Sequence, residues 1–140
     1  MFNPSREQVR QFFFDAWQKY RDGRPLEGLE TVAVEVALLH PEYHHVLDDA
    51  ARFLDREYTP EGGETNPFLH LSLHVAIEEQ LSIDQPPGVR AEFERLVASR
   101  GDRHDALHVV LECLGEVVWQ AQAVRAVPDG EAYLECLRRR

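Results

Sequence analysis

His70-Leu71-Ser72-Leu73-His74-Val75-Ala76-Ile77-Glu78 and His104-Asp105-Ala106-Leu107-His108-Val109-Val110-Leu111-Glu112 repeat one pattern: histidine, histidine and glutamate, each four residues after the last. Apolar residues fill most of the positions between. On an α-helix this interval lines the three side chains along one face, one turn apart. Two such helices packed antiparallel offer four imidazoles and two carboxylates to a common interior, which is how helical bundles build metal sites. The repeat therefore predicts both a helical bundle and a polar, ligand-rich place inside it.

The remaining sequence is consistent with helices. Asn3 or Ser5 can cap a first helix, and Ser5 with Gln8 has capping-box spacing. Val9, Phe12, Phe13, Ala16, Trp17 and Tyr20 then form a broad apolar face that ends at Gly23. Pro25 opens a second helix with Leu29, Val32, Ala33, Val36 and Leu39 inward, continuing through His40, His44, Leu47, Ala51 and Leu54. Pro41 is the exception, since a proline inside a helix removes an amide donor and clashes with the preceding turn. A kink or break is expected there, and it would re-aim a histidine.

Tyr58 to Thr65, with Pro60, Gly62 and Gly63, reads as a loop. Asn66 and Pro67 then make a cap and first turn. A shorter helix carrying Val89, Phe93, Leu96 and Val97 precedes Gly101, Asp102 caps the next long helix, and Pro128-Asp129-Gly130 turns into a terminal flap with Tyr133 and Leu137 inward. No segment needs a sheet. The expectation is an all-α single domain over residues 1 to 140: an antiparallel four-helix bundle of residues 5–21, 26–54, 67–82 and 102–126, with short accessory helices.

Composition narrows the function classes. Twenty-five Asp and Glu stand against fifteen Lys and Arg, a net charge of −10, which argues against a duplex-binding surface. Arg6, Arg10, Lys19, Arg21 and Arg24 make only a local basic edge among acidic neighbours, so no nucleic-acid partner is expected. No apolar run is long enough to span a bilayer and no signal segment opens the chain, so no membrane partner and a cytoplasmic location are expected. Cys113 and Cys136 are too few for a disulfide framework. Cys113 in its apolar helical phrase reads as a buried thiol, which suits a reducing interior.

All seven histidines fall in three clusters: His40, His44 and His45; His70 and His74; His104 and His108. The candidate metal ligands are His40, His44, His70, His74, His104 and His108, with Glu78 and Glu112 as terminal or bridging carboxylates. His45, adjacent to His44, points elsewhere on a regular helix. Glu35, one turn before His40, is a weaker carboxylate candidate. Glu78 and Glu112 can instead orient a liganding ring through its remote nitrogen. The competing explanation is a polar core in which the imidazoles are satisfied by carboxylates and backbone without any metal.

Ligand number sets the chemistry. Six imidazoles and two carboxylates suffice for a dinuclear iron or manganese centre with open positions for dioxygen or another small-molecule ligand, hence an oxygen-reactive or redox protein. Three histidines suffice for one zinc with an open water position, hence a zinc-dependent hydrolase as the first alternative. The second alternative is a non-enzymatic helical adaptor with a structural polar core, and the wide apolar faces allow a homodimer. The nitrogen-rich ligand balance is closer to a haemerythrin-type bundle than to a ferritin, an analogy of ligand chemistry that sets no function. No HExxH phrase, Ser-His-Asp order or phosphate-cradling glycine loop names a substrate.

Several separated phrases carry a resemblance that spans nearly the whole chain. Met1-Phe2-Asn3-Pro4-Ser5-Arg6 with Val9-Arg10 and Phe12-Phe13, His40-Pro41-Glu42-Tyr43-His44, Asn66-Pro67-Phe68-Leu69-His70, and Glu79 to Gly88 resemble the bacterial domain-of-unknown-function family 1841. The resemblance implies a small bacterial protein of one domain, and it implies no activity, substrate or catalytic residue.

Overall fold

A computed structural model of the chain describes residues 5–59 and 65–140; the expected loop residues Pro60, Gly62 and Gly63 and the alternative cap Asn3 lie outside them. The described residues contain eight α-helices and one 3-10 turn. They divide into two compact units, Met1–Val75 and Ala76–Arg140.

In the first unit, α1 (Arg6–Arg21) starts with the expected capping box: the Gln8 amide donates to Ser5 Oγ at 3.1 Å and the Ser5 amide donates to Gln8 Oε1 at 2.8 Å. Both orphan amide donors are thereby satisfied, worth about 1 kcal/mol at a typical cap. Its buried face is Phe13, Phe14, Ala16 and Trp17, and it also buries the charged Arg10. Tyr20, expected inward, is exposed instead. The face packs against α2 (Leu29–Leu38), which buries Ala33, Val34, Val36 and Ala37. Gly28 precedes α2 with φ 54°, a left-handed conformation that disfavours residues with a Cβ.

The expected helix over 26–54 is broken, and Pro41 shows why. Without an amide hydrogen it cannot continue the ladder, and it pushes the residue before it out of helical geometry, so His40 sits at φ −127°, ψ 67°. The chain passes through a 3-10 turn (Pro41–Tyr43) into two single-turn helices, α3 (His44–Leu47) and α4 (Ala50–Phe53). Asp49 caps α4, its carboxylate accepting from the Arg52 amide at 3.3 Å. Helix α5 (Pro67–Ile83) opens on Asn66, whose Oδ1 accepts from the Phe68 and Leu69 amides at 3.0 and 3.2 Å. Phe68 meets Phe14 edge-on at 5.4 Å, and Val46, Leu47, Phe53, Leu71 and Val75 complete the core of this unit.

The division between the units falls inside α5. In the second unit α6 (Val89–Arg100) packs against both α7 (Arg103–Ala123) and α8 (Gly130–Arg138), and α7 packs against α8. Asp102 and Asp129 cap α7 and α8 by accepting backbone amides. Val89, Phe93, Leu96, Leu107, Val110, Leu114, Tyr133 and Leu137 are buried among these helices. Tyr133 donates to Gln80 Oε1 at 2.7 Å, and burial pushes its phenol far above the ordinary tyrosine range.

The fold is all-α, but the four-helix bundle is overturned. Pro41 divides one expected long helix into four short elements, and α6 and α8 have buried faces that make them full packing partners of α7 rather than accessories. The cysteine expectation is also corrected: Cys113 on α7 is joined to Cys136 on α8 by a disulfide, with a Cα–Cα separation of 5.8 Å, and no cysteine is free. Disulfides persist in oxidising surroundings, so the cysteines lend no support to a reducing compartment. No described helix is long and apolar enough to cross a membrane.

Candidate metal centre

The break at Pro41 aims His40 inward. Its ring is almost fully buried, at 1 % exposure, and Nδ1–H donates to the Val36 carbonyl at 2.8 Å. That bond assigns the proton to Nδ1 in the neutral ring and leaves the Nε2 lone pair for another partner. A ring nitrogen held this way by a backbone carbonyl is the usual support of a metal-binding histidine.

His70 and His74 come from one face of α5, one turn apart, with ring centroids 4.9 Å from each other. His40 stands 4.9 Å from His70 and 4.6 Å from His74 by ring centroid. The Nε2 atoms of His40 and His70 are 3.2 Å apart. Two nitrogens bound to one tetrahedral zinc at about 2.0–2.1 Å are separated by about 3.3–3.4 Å, so this pair is already at ligand spacing. His74 is as buried as His40, while His70 is only partly so. Tyr43 closes one side, its ring stacked 5.8 Å from that of His40. Burial, and then the neighbouring Glu42 charge, raise the Tyr43 phenol above its usual range, which keeps it neutral.

Within the first unit, His40, His70 and His74 bring three imidazole nitrogens within 4.8 Å of one another, a donor set able to hold a metal ion. Three imidazoles and no carboxylate form a nitrogen-only set, the chemistry of a transition-metal site rather than of magnesium or calcium.

The other sequence-predicted ligands have different surroundings. His44 Nε2–H donates to the Ala37 carbonyl at 2.8 Å, and its ring lies 4.6 Å from Trp17. Trp17 in turn donates to Asp48 at 2.7 Å, and Arg21 grips the same carboxylate. His45 is exposed beside Phe53, and Glu35 is exposed. In the second unit the His104 and His108 rings are perpendicular, 4.3 Å apart. Both oxygens of Glu78 accept from Arg103 at 3.2 Å, and Glu112, largely exposed, accepts from Arg140 at 2.9 Å.

Arg10, which the sequence sets in a basic edge, is followed at helical spacing by Phe13 and Phe14, and that spacing puts it on the apolar face. Asp48, which accepts from the Trp17 indole that meets the His44 ring, carried no local signal. A family model described as Domain of unknown function (DUF1841) matches residues 5–139. The chain belongs to that family. No curated protein and no solved structure gives a significant match. The DUF1841 description names no reaction, so chemistry has to be argued from the histidines themselves.

Proposed function

We propose that this DUF1841 protein binds a single transition-metal ion on His40, His70 and His74. The observation that carries the reading is the His40–His70 Nε2 separation of 3.2 Å together with the Val36 carbonyl that holds His40 in the tautomer a metal needs.

One ion is favoured over two by the surroundings of the remaining candidates. His44 spends its Nε2 on a backbone carbonyl, and Glu78 and Glu112 are engaged by Arg103 and Arg140. Without carboxylates the set suits zinc or ferrous iron over manganese, and zinc, having no geometric preference of its own, accepts a tetrahedral nitrogen-rich set most readily. Cobalt substitution tests the geometry: the tetrahedral nitrogen set predicts strong visible absorption that is lost in His74→Ala, whereas a weak octahedral spectrum contradicts it.

A further inference from the structure

Arg10 is the one buried cation of the first unit's core among the described residues, at 1 % exposure, and it has no carboxylate in hydrogen-bond contact. All its hydrogen bonds to described residues leave from Nη1, to the carbonyls of Phe53, Leu54 and Arg56 at 3.3, 2.9 and 2.7 Å. Its plane stands over the Phe68 ring, 4.7 Å from the centroid. Nε is buried and has no hydrogen-bond partner. The carbonyls therefore fix one corner of the guanidinium and leave the Nε/Nη2 edge unused. That edge is the one whose two parallel N–H groups match a carboxylate or phosphate.

Arg10 lines a cavity of about 200 Å³ together with Arg6, Asn66, Phe68, Leu69 and Ser72. Every polar feature there suits an anion. Arg6 is a second guanidinium one turn before Arg10 on α1, and like charges so placed repel unless something negative lies between them. Asn66 caps the N-terminus of α5, its Oδ1 taking the Phe68 and Leu69 amides, so the helix end offers its dipole to negative charge. Among the described residues, the acidic groups that act on Arg10, Asp55 and Glu57, are exposed, and Glu57 bonds Arg6 at 3.0 Å rather than Arg10. Phe68 and Leu69 supply an apolar wall for the remainder of a small ligand.

We infer that this cavity is a binding site for the oxyanion of a small molecule, a carboxylate or phosphate group held side-on by Nε and Nη2 of Arg10 and steadied by Arg6. The site stands independently of the metal reading.

The test uses the full chain. The Nε–H of Arg10, shielded from solvent, is expected as a slowly exchanging arginine resonance in a ¹H–¹⁵N spectrum, assigned by its absence in Arg10→Lys. Propionate or phosphate should move it saturably, while chloride at matched ionic strength should not. A stronger response to propionate identifies a carboxylate ligand and a stronger response to phosphate a phosphate ligand. Arg10→Lys keeps the charge and loses the forked edge, so binding followed by calorimetry should weaken roughly tenfold or more. Should that variant fail to fold, Arg6→Gln at the exposed rim should still weaken binding severalfold. No saturable movement with either anion, an equal response to chloride, or unchanged affinity in the variants overturns the inference.

Discussion

Replacing His40 with leucine separates what the histidine contributes as a packed side chain from what it contributes as a ligand. In the metal-free protein the substitution removes the Nδ1–H donation to the Val36 carbonyl and the 3.2 Å hydrogen bond between the Nε2 atoms of His40 and His70. That carbonyl keeps a partner, because the Leu39 amide also donates to it at 3.1 Å, so no orphaned acceptor is left. Leucine is apolar and of comparable size, and the site is almost fully buried. The expected cost is then two ordinary hydrogen bonds, about 2 kcal/mol, or a fall in Tm of about 8–16 °C if the first unit melts on its own. The metal-dependent part is larger: an ion present at about a thousandfold over its Kd stabilises the folded state by about 4 kcal/mol. Wild-type protein should therefore lose about 4 kcal/mol when stripped by chelator, while His40→Leu, already weakened, should scarcely respond to metal or chelator. Urea unfolding followed by circular dichroism, with and without zinc, reads both quantities. A variant that retains the full zinc-dependent stabilisation, or a wild-type protein that shows none, would refute the ligand role of His40.

Other expectations rest on separate parts of the fold. Burial alone would raise the Asp48 carboxyl, but hydrogen bonds from Arg21 and Trp17 outweigh it and hold it below the ordinary aspartate range; its stabilising effect is therefore complete above that range and lost as pH falls through the lowered value, and Trp17 fluorescence should change in that acid window and not in Asp48→Asn. Tyr133→Phe removes the 2.7 Å bond to Gln80 and should destabilise by about 1–2 kcal/mol in urea. Reducing the Cys113–Cys136 bond, which closes a loop of sequence separation 23, should cost about 3 kcal/mol, with the same loss in Cys136→Ser without reductant. Glu78→Gln breaks only a partly exposed pair with Arg103, so it should shift stability by less than about 1 kcal/mol and leave metal content unchanged.

Much of the helical content was legible because it is written locally: Ser5 with Gln8, Asn66 with Pro67, Asp102 and Asp129 are signals contained within four residues, and each sits at an observed helix start. The histidine spacing was equally local, and it placed His70 and His74 on one face of α5. What the sequence could not supply was the consequence of long-range packing. Pro41 announced a break, yet only the observed turn shows that the break points His40 at His70 and turns His44 toward Ala37 and Trp17. Glu78 and Glu112 continue the histidine lines, but the arginines that engage them, Arg103 and Arg140, come from 25 and 28 residues away. The disulfide was missed for a similar reason, since two distant cysteines carry no pairing signal, and Arg10 was missed because charge was weighted above its place among Phe13 and Phe14.

The most direct measurement is elemental mass spectrometry of native, tag-free protein purified without chelator, alongside His74→Ala, His44→Ala and Glu112→Gln. The proposed centre predicts about one zinc or iron per chain, lost in folded His74→Ala and retained in the other two variants. A chain that carries no metal and cannot be reloaded, or one whose metal survives His74→Ala, would contradict it.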